Sequence, residues 1–323
     1  MPTLETKAAI RVIAPARLHL GFLDLNGGLG RRYGSIGLAV DKPATELTLQ
    51  RGTRPSASGA EQDRTAALVQ RFAGHFGLAG DFAVDVATAI PAHAGLGSGT
   101  QLALATGAAM MHLAGMAHDP RSLGELVDRG ARSAIGMASF TDGGFIIDGG
   151  RGEADRAPPV IVRTPFPEAW RVLLVLDKTA VGVHGDRETK AFATLREFPL
   201  TTAAHLCHLT LLRLLPGLVE QDLTMFGSAL TEIQEVVGGH FSGAQGGGIW
   251  SSENVGRLIK RMGDLGAKGL GQSSWGPTGF AFAESQDAAN KLFHTLGEEA
   301  KGLGLEILIV HGRNSGAQIF PGH

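Results

Sequence analysis

The stretch Pro91-Ala92-His93-Ala94-Gly95-Leu96-Gly97-Ser98-Gly99-Thr100-Gln101 sets closely spaced glycines and hydroxyls directly before an alanine-rich segment. A helix N-terminus presents unpaired N–H groups and about half a positive charge, and glycine lets a backbone approach closely, so this pattern suits a phosphate or pyrophosphate. A tight strand-to-helix turn capped by Ser98 or Thr100 would use the same residue types. Arg17, Arg32 and Arg187 are the candidate cations for phosphate or carboxylate, with a surface charge or a structural ion pair as the alternative at each. His19 and His184 are candidates for proton transfer, because a free imidazole titrates at about 6.5; packed core histidines are the other reading. Asp142, before Gly143-Gly144, is either a working carboxylate or the start of a turn. Ser273, Ser274 and Thr278 can donate to phosphate or carboxylate, Trp275 and Phe140 are either core residues or a ligand-facing surface, and Asp24 and Asp148 can help hold Mg²⁺ through water and phosphates.

These residues need elements to position them. Ala9–Ala14 and Ala44–Gln50 predict strands around a glycine- and arginine-containing segment, Gly21 to Gly37, which reads as a large functional loop. Helical spacing at Thr65–Phe76, strand alternation at Phe82–Ala89 and the alanine-rich Gly99–Met116 place the glycine loop between a strand and a helix. A helix is expected at Ser122–Ser133, a short strand at Phe145–Asp148 and a linker at Arg151–Pro159. The second half predicts a strand at Arg171–Leu176, helices near Thr202–Leu215, Asp222–Val237 and Ser252–Leu265, and a glycine- and serine-rich turn into an apolar strand within Gly271–Phe282. A helix at Ser285–Gly297 and a strand at Glu306–Val310 follow. Strands and helices without strict alternation give an α+β class, in two domains of residues 1–158 and 159–323.

Composition narrows the partners. The 323 residues carry 29 basic and 31 acidic side chains, a net charge of −2 that offers no broad attraction for nucleic acid or an acidic membrane. One cysteine, Cys207, allows neither an intramolecular disulfide nor a cysteine-based zinc cluster, which fits a reducing cytoplasm. The N-terminal apolar stretch is too short for a signal peptide, and no later run reaches the roughly 20 apolar residues of a membrane span. Glycine, at 47 residues, stands at about twice its average usage of roughly 7%. Its concentration in compact runs beside small polar residues points to close backbone approach.

Pro91–Ser98, as Pro-x-x-x-Gly-Leu-Gly-Ser, resembles the phosphate loop of the GHMP kinase superfamily. Ala14-Pro15-Ala16-Arg17-Leu18-His19-Leu20-Gly21 resembles its N-terminal motif, and Gln272-Ser273-Ser274-Trp275-Gly276-Pro277-Thr278-Gly279 stands where its C-terminal glycine-rich motif does. The resemblance implies a GHMP kinase-like two-domain α+β fold. Gly99-Thr100-Gln101 replaces the second serine and small residues of the kinases. That tail, with Arg31-Arg32-Tyr33-Gly34-Ser35, Ala138-Ser139-Phe140 and the segment from Gly143 to Gly150, resembles the β-ribofuranosylaminobenzene 5′-phosphate synthase family.

This resemblance implies a decarboxylating pentosyl transfer in tetrahydromethanopterin biosynthesis. Phosphoribosyl pyrophosphate and para-aminobenzoate or para-hydroxybenzoate would give a C-riboside, CO₂ and pyrophosphate. Mg²⁺ would accompany the phosphates, no organic cofactor would be needed, and a homodimer is expected. Arg17, His19, His184 and Asp142 would serve catalysis; Gly95, Leu96, Gly97, Ser98, Gly99, Thr100, Gln101, Arg32, Arg187, Ser273, Ser274 and Thr278 would hold substrate. The segment Val181 to Glu188 resembles the family's Gly-Glu-Arg-Glu type loop with Asp186 in it, and Asp142 follows Gly136-Met137-Ala138-Ser139 roughly where the kinases carry a catalytic aspartate. An ATP-dependent small-molecule kinase and a non-catalytic phosphometabolite sensor are the competing readings.

Overall fold

The computed structural model describes residues 9–117, 119–153, 156–180, 182, 192, 194–245 and 247–322. Strands β1 (Ala9–Asp24) and β2 (Tyr33–Gly52) pair antiparallel along most of their length. The segment read as a loop from Gly21 to Gly37 is therefore mostly strand, and only residues 25–32 turn. Leu18, Leu20 and Phe22 on one strand and Ile36, Leu38 and Val40 on the other are buried, so pairing continues wherever the alternation supplies a core face. Asp24 then ends β1 by accepting from the Asn26 and Gly27 N–H groups at 2.7 and 2.8 Å.

The chain continues through β3 (Ser56–Gly59), α1 (Gln62–Phe76), β4 (Asp81–Thr88), α2 (Ser98–Leu113), α3 (Pro120–Leu126), α4 (Ile135–Thr141), β5 (Phe145–Asp148), β6 (Val160–Thr164) and β7 (Arg171–Asp177). The helix expected at Ser122–Ser133 stops at Leu126, because Asp128 takes a left-handed φ of 58° that a right-handed helix cannot contain. Next come α5 (Leu200–Leu209), a π-helical turn (Thr210–Leu214), α6 (Leu215–Val219), α7 (Leu223–Phe241), α8 (Glu253–Asp264), β8 (Lys268–Gln272), β9 (Gly279–Ala283), α9 (Gln286–Gly302), β10 (Leu305–Val310) and β11 (Gln318–Gly322). Asp222, Ser252 and Ser285 cap α7, α8 and α9 by accepting from main-chain N–H groups of the first turn.

Two sheets organise these elements. The first has seven strands in the order β11-β1-β2-β4-β3, with β5 on β2 and β6 on β5; the second runs β10-β7-β9-β8. The sheets do not divide at residue 158, since β6 completes a hairpin with β5 and β11 returns to the free edge of β1. Val12, Ala14, Leu47 and Leu49 pack under α1 and α2, while Leu173, Val175, Ala281 and Ala283 pack under α8 and α9. The opposite strand faces meet a central core with leucines of α5 to α7 and Phe226, Phe280 and Phe282. Leu200–Val219, spanning α5 to α6, is long and apolar enough to cross a membrane by length and composition alone, a test that the core helix of a globular protein also passes. Its Ala203, Leu206, Leu214 and Leu218 belong to that core.

Candidate active site

β1 carries Arg17 and His19 two residues apart, hence toward the same side of the strand. A bulge lies just beyond them, because His19 pairs with Gly37 and Gly21 with Ile36. Bulges commonly re-aim groups beside functional sites, and here Leu20, left outside the register, gives its carbonyl to Gln234 Nε2 at 2.7 Å. Arg17 lies along the phosphate loop: its N–H donates to the Leu96 carbonyl at 3.1 Å and its Nη1 to the Gly95 carbonyl at 2.5 Å.

The third motif closes on the same point. Ser273 Oγ donates to the Gly95 carbonyl at 2.7 Å and accepts from the His19 N–H at 3.0 Å, and the Ser274 N–H reaches the His19 carbonyl at 3.3 Å. Gly95 has a φ of 81°, and any Cβ there would collide with the Ser273 carbonyl oxygen. Segments far apart in sequence are thus held together through the Ser273 hydroxyl and one main-chain bond, at a point where position 95 admits no side chain.

Gly97, at a φ of 82°, is the residue before α2, and no side chain caps that helix. The alternative in which Ser98 or Thr100 caps the turn is not what forms. Thr100 and Gln101 direct their N–H groups to the Gly97 carbonyl, and the start of α2 carries the positive end of a 16-residue helix. Arg17 runs along Gly97, and Arg64 and Arg129 come up to Gly99, where a Cβ would meet both guanidiniums. Arg64 is held from behind by Glu61 at 3.6 Å. Neither Arg64 nor Arg129 stands near the loop in sequence, so only the packing of α1 and of the turn after α3 reveals them. The surrounding charge and the helix end together suit a phosphate or pyrophosphate.

Several of the other sequence candidates have structural tasks. Leu96 is buried in the core. Gln101 is buried and gives its Nε2 to the Gly136 carbonyl at 2.7 Å, pinning α4 to α2. Ser273 commits its one proton to Gly95, and Thr278 is buried with its carbonyl accepting from the Ser273 N–H at 2.9 Å. Arg32 donates from Nε to the Leu25 carbonyl at 3.0 Å and pairs its main chain with Arg151, so it closes the 25–32 turn. Phe140 is a core residue beside α2. Ser98, Gly99 and Thr100 are half-buried at the start of α2, and Ser274 lies against His19. His184 and Arg187 lie outside the described residues.

Asp142 is not brought to the loop. α4 starts beside the loop, where Gly136 packs on Thr100, and Asp142 caps its other end, six residues or about 9 Å along the axis. Its side chain is exposed, and its carbonyl accepts from Arg163 Nη2 at 2.8 Å. Asp148 is buried and takes N–H groups of Ser35, Ala134 and Gly150 and the hydroxyl of Ser133 at 2.9 to 3.2 Å. Burial raises its pKa and these donors oppose that rise. With Asp148 saturated and Asp24 closing its turn, no group of three His, Cys, Asp or Glu that could hold a metal exists among the described residues.

His19 departs from the expectation of a proton carrier. Its imidazole is buried, and desolvation, reinforced by the Arg17 charge, lowers its pKa to about 3. With that shift the imidazole is neutral at physiological pH.

Comparison with known proteins agrees with this geometry. The model for the GHMP kinases N terminal domain matches residues 63–150, and that for the GHMP kinases C terminal matches residues 214–302. Beta-ribofuranosylphenol 5′-phosphate synthase from Archaeoglobus fulgidus is 34% identical over 96% of this chain and 99% of its own. The protein of the same name from Methanothermobacter thermautotrophicus is 32% identical over 94% and 96%. Among solved structures, homoserine kinase from Cytophaga hutchinsonii superposes with a TM-score of 0.68 at 19% identity, covering 99% of this chain and 100% of that one. Mevalonate diphosphate decarboxylase from Staphylococcus aureus gives 0.67 at 15%, with coverage of 99% and 100%. These two show the shared fold. With three motifs joined at one point and relatives matched along nearly the whole chain, the chain belongs to the β-ribofuranosylphenol 5′-phosphate synthase family of the GHMP kinase superfamily.

Proposed function

We propose that the protein condenses phosphoribosyl pyrophosphate with para-hydroxybenzoate, releasing CO₂ and pyrophosphate, as a decarboxylating pentosyltransferase. The observation that carries this reading is the near full-length match to relatives named for a ribofuranosylphenol phosphate product. The phenol in that name favours the hydroxy over the amino acceptor. The family resemblance carries with it a place in tetrahydromethanopterin biosynthesis.

The site's chemistry supports the reading. The bond from the anomeric carbon to the pyrophosphate oxygen breaks, and its electron pair leaves on pyrophosphate. The uncapped start of α2, with Arg17, Arg64 and Arg129 around it, suits that growing charge. The ring carbon bearing the carboxylate attacks the electron-poor anomeric carbon. The carbon–carboxyl bond then breaks, CO₂ leaves, and the returned pair restores aromaticity. Mg²⁺ belongs in this reading to the donor's phosphates, the usual way this ion is carried, and no step here is routed through it.

The test is to incubate purified protein with phosphoribosyl pyrophosphate and each benzoate and follow CO₂ and pyrophosphate. Equal yields of both products, dependent on both substrates, are expected. ATP-dependent phosphorylation of a metabolite with no CO₂ release would replace this function with a kinase.

A further inference from the structure

His19 also lines a cavity of about 300 Å³ bounded by α7, α8, β8 and the turn at 272–275. One end of it is a run of rings: His19 to Phe22 at 4.5 Å, Phe22 to Phe241 at 6.0 Å and Phe241 to Trp275 at 4.5 Å. Trp250, packed over Gly256 of α8, adds another aromatic face. Polar side chains around the space largely bond one another. Gln234 Oε1 accepts from the Gln272 N–H at 2.8 Å, and Gln245 Oε1 accepts from Gln272 Nε2 at 2.8 Å and Ser251 Oγ at 2.9 Å.

Two atoms on lining side chains stand outside that network. His19 Nε2 and Trp275 Nε1 find no hydrogen-bond partner among the described residues, although each side chain belongs to a residue only 4% exposed. Buried polar atoms are almost always satisfied, so two of them on residues that line one cavity point to a polar guest. The volume lies at the small end of ligand pockets, which suits a one-ring molecule, and tilted and edge-on aromatic walls suit its faces and rim.

We propose that this cavity takes the aromatic ring of the acceptor, with its carboxylate end at His19 and Trp275 and its para substituent toward the exposed Glu235 and Lys260. The assignment rests on the synthase reading above. Its orientation follows from the shared wall: Ser273 joins the His19 main chain to Gly95 of the phosphate loop, so the ring carbon that meets the anomeric carbon must be the one nearest His19. An indole N–H and a neutral imidazole bind the carboxylate without a full cation. An ion pair there would be lost as neutral CO₂ departs and would favour the ground state.

Trp275→Phe keeps the ring and removes the N–H, and Ile249→Trp narrows the cavity from a partly exposed position. For Trp275→Phe, KM for para-hydroxybenzoate should rise about tenfold, the scale of one buried hydrogen bond, with KM for phosphoribosyl pyrophosphate within about twofold. For Ile249→Trp, equilibrium dialysis with labelled para-hydroxybenzoate should show binding lost while inorganic pyrophosphate still binds. Turnover with unchanged acceptor KM in both variants would overturn the cavity assignment and leave the synthase reading standing. Binding of para-hydroxybenzoate that depends on Trp275, without turnover, would uphold the cavity and overturn the synthase reading.

Discussion

The phosphate loop and the cavity share one wall, the β1 segment at His19 and the turn at Ser273, yet they are built from opposite materials. Around the loop stand Arg17, Arg64 and Arg129 and the uncapped start of α2; around the cavity stand Phe22, Phe241, Trp250 and Trp275, with the glutamines tied to one another. The loop can recognise charge wherever it is presented. The cavity can recognise a flat ring of limited size. On the proposed function, two substrates that must react would be sorted by chemistry before they meet, and each region should fail in its own way when altered.

The sharpest break is Gly95→Ala. The left-handed φ and the collision with the Ser273 carbonyl leave no room to relax, since the opposing atom is main chain. Strain of about 3 kcal/mol predicts a fall of roughly 100-fold or more in kcat/KM and a Tm several degrees lower. Wild-type values for both would disconnect the loop from the turn. Arg17→Ala should come next, raising KM for phosphoribosyl pyrophosphate by roughly 10- to 100-fold, as the loss of a charge-assisted contact implies, with the acceptor KM almost unchanged. A selective effect on the acceptor would reverse the assignment of the two regions.

The neutral side has a pH signature. An unfolded histidine takes up a proton below about 6.5, whereas His19 in the folded protein does so only near 3, so its contribution to stability is complete above 6.5 and falls as the pH drops. Chemical denaturation should show a loss of up to about 1.4 kcal/mol per pH unit below that point, from this residue alone. His19→Asn should lose that component of the slope, and the pH profile of kcat should show no limb from His19 near neutrality. Finer still is Arg64→Ala, where a partly exposed charge predicts a donor KM raised only severalfold and more so at low salt. Asp142→Asn, at the far end of α4, should leave kcat/KM within about twofold, and a loss of many-fold would bring that carboxylate back into the chemistry.

The order of these effects follows how much of the site could be read before folding. The loop, α2 and the motifs around Arg17 and Ser273 were legible, because glycine spacing and helix propensity act locally. Phe145–Asp148 was placed to the residue for the same reason, as four apolar or capping positions between glycines. Arg64 and Arg129 were not legible, since what matters about them is the distance to Gly99, set by helix packing across tens of residues. Gln101 and Ser273 looked like ligands because their side chains can donate, but burial turned their donors toward main-chain carbonyls. The titration of His19 is not legible for a related reason, as it depends on burial beside Arg17 and on no local pattern. The strand pairing across Gly21–Gly37 is not legible locally, because its glycines and arginines resemble a loop and the pairing rests on the buried alternation of Leu18, Leu20 and Phe22.

The most direct measurement of the central claim is a crystal structure of the protein soaked with pyrophosphate and para-hydroxybenzoate together. The account predicts pyrophosphate at the start of α2, touching Arg17 and Arg64, and the ring between Phe241 and Trp275 with its carboxylate at His19. Pyrophosphate elsewhere, or a ring seated away from Trp275 with the cavity filled by protein side chains, would contradict it.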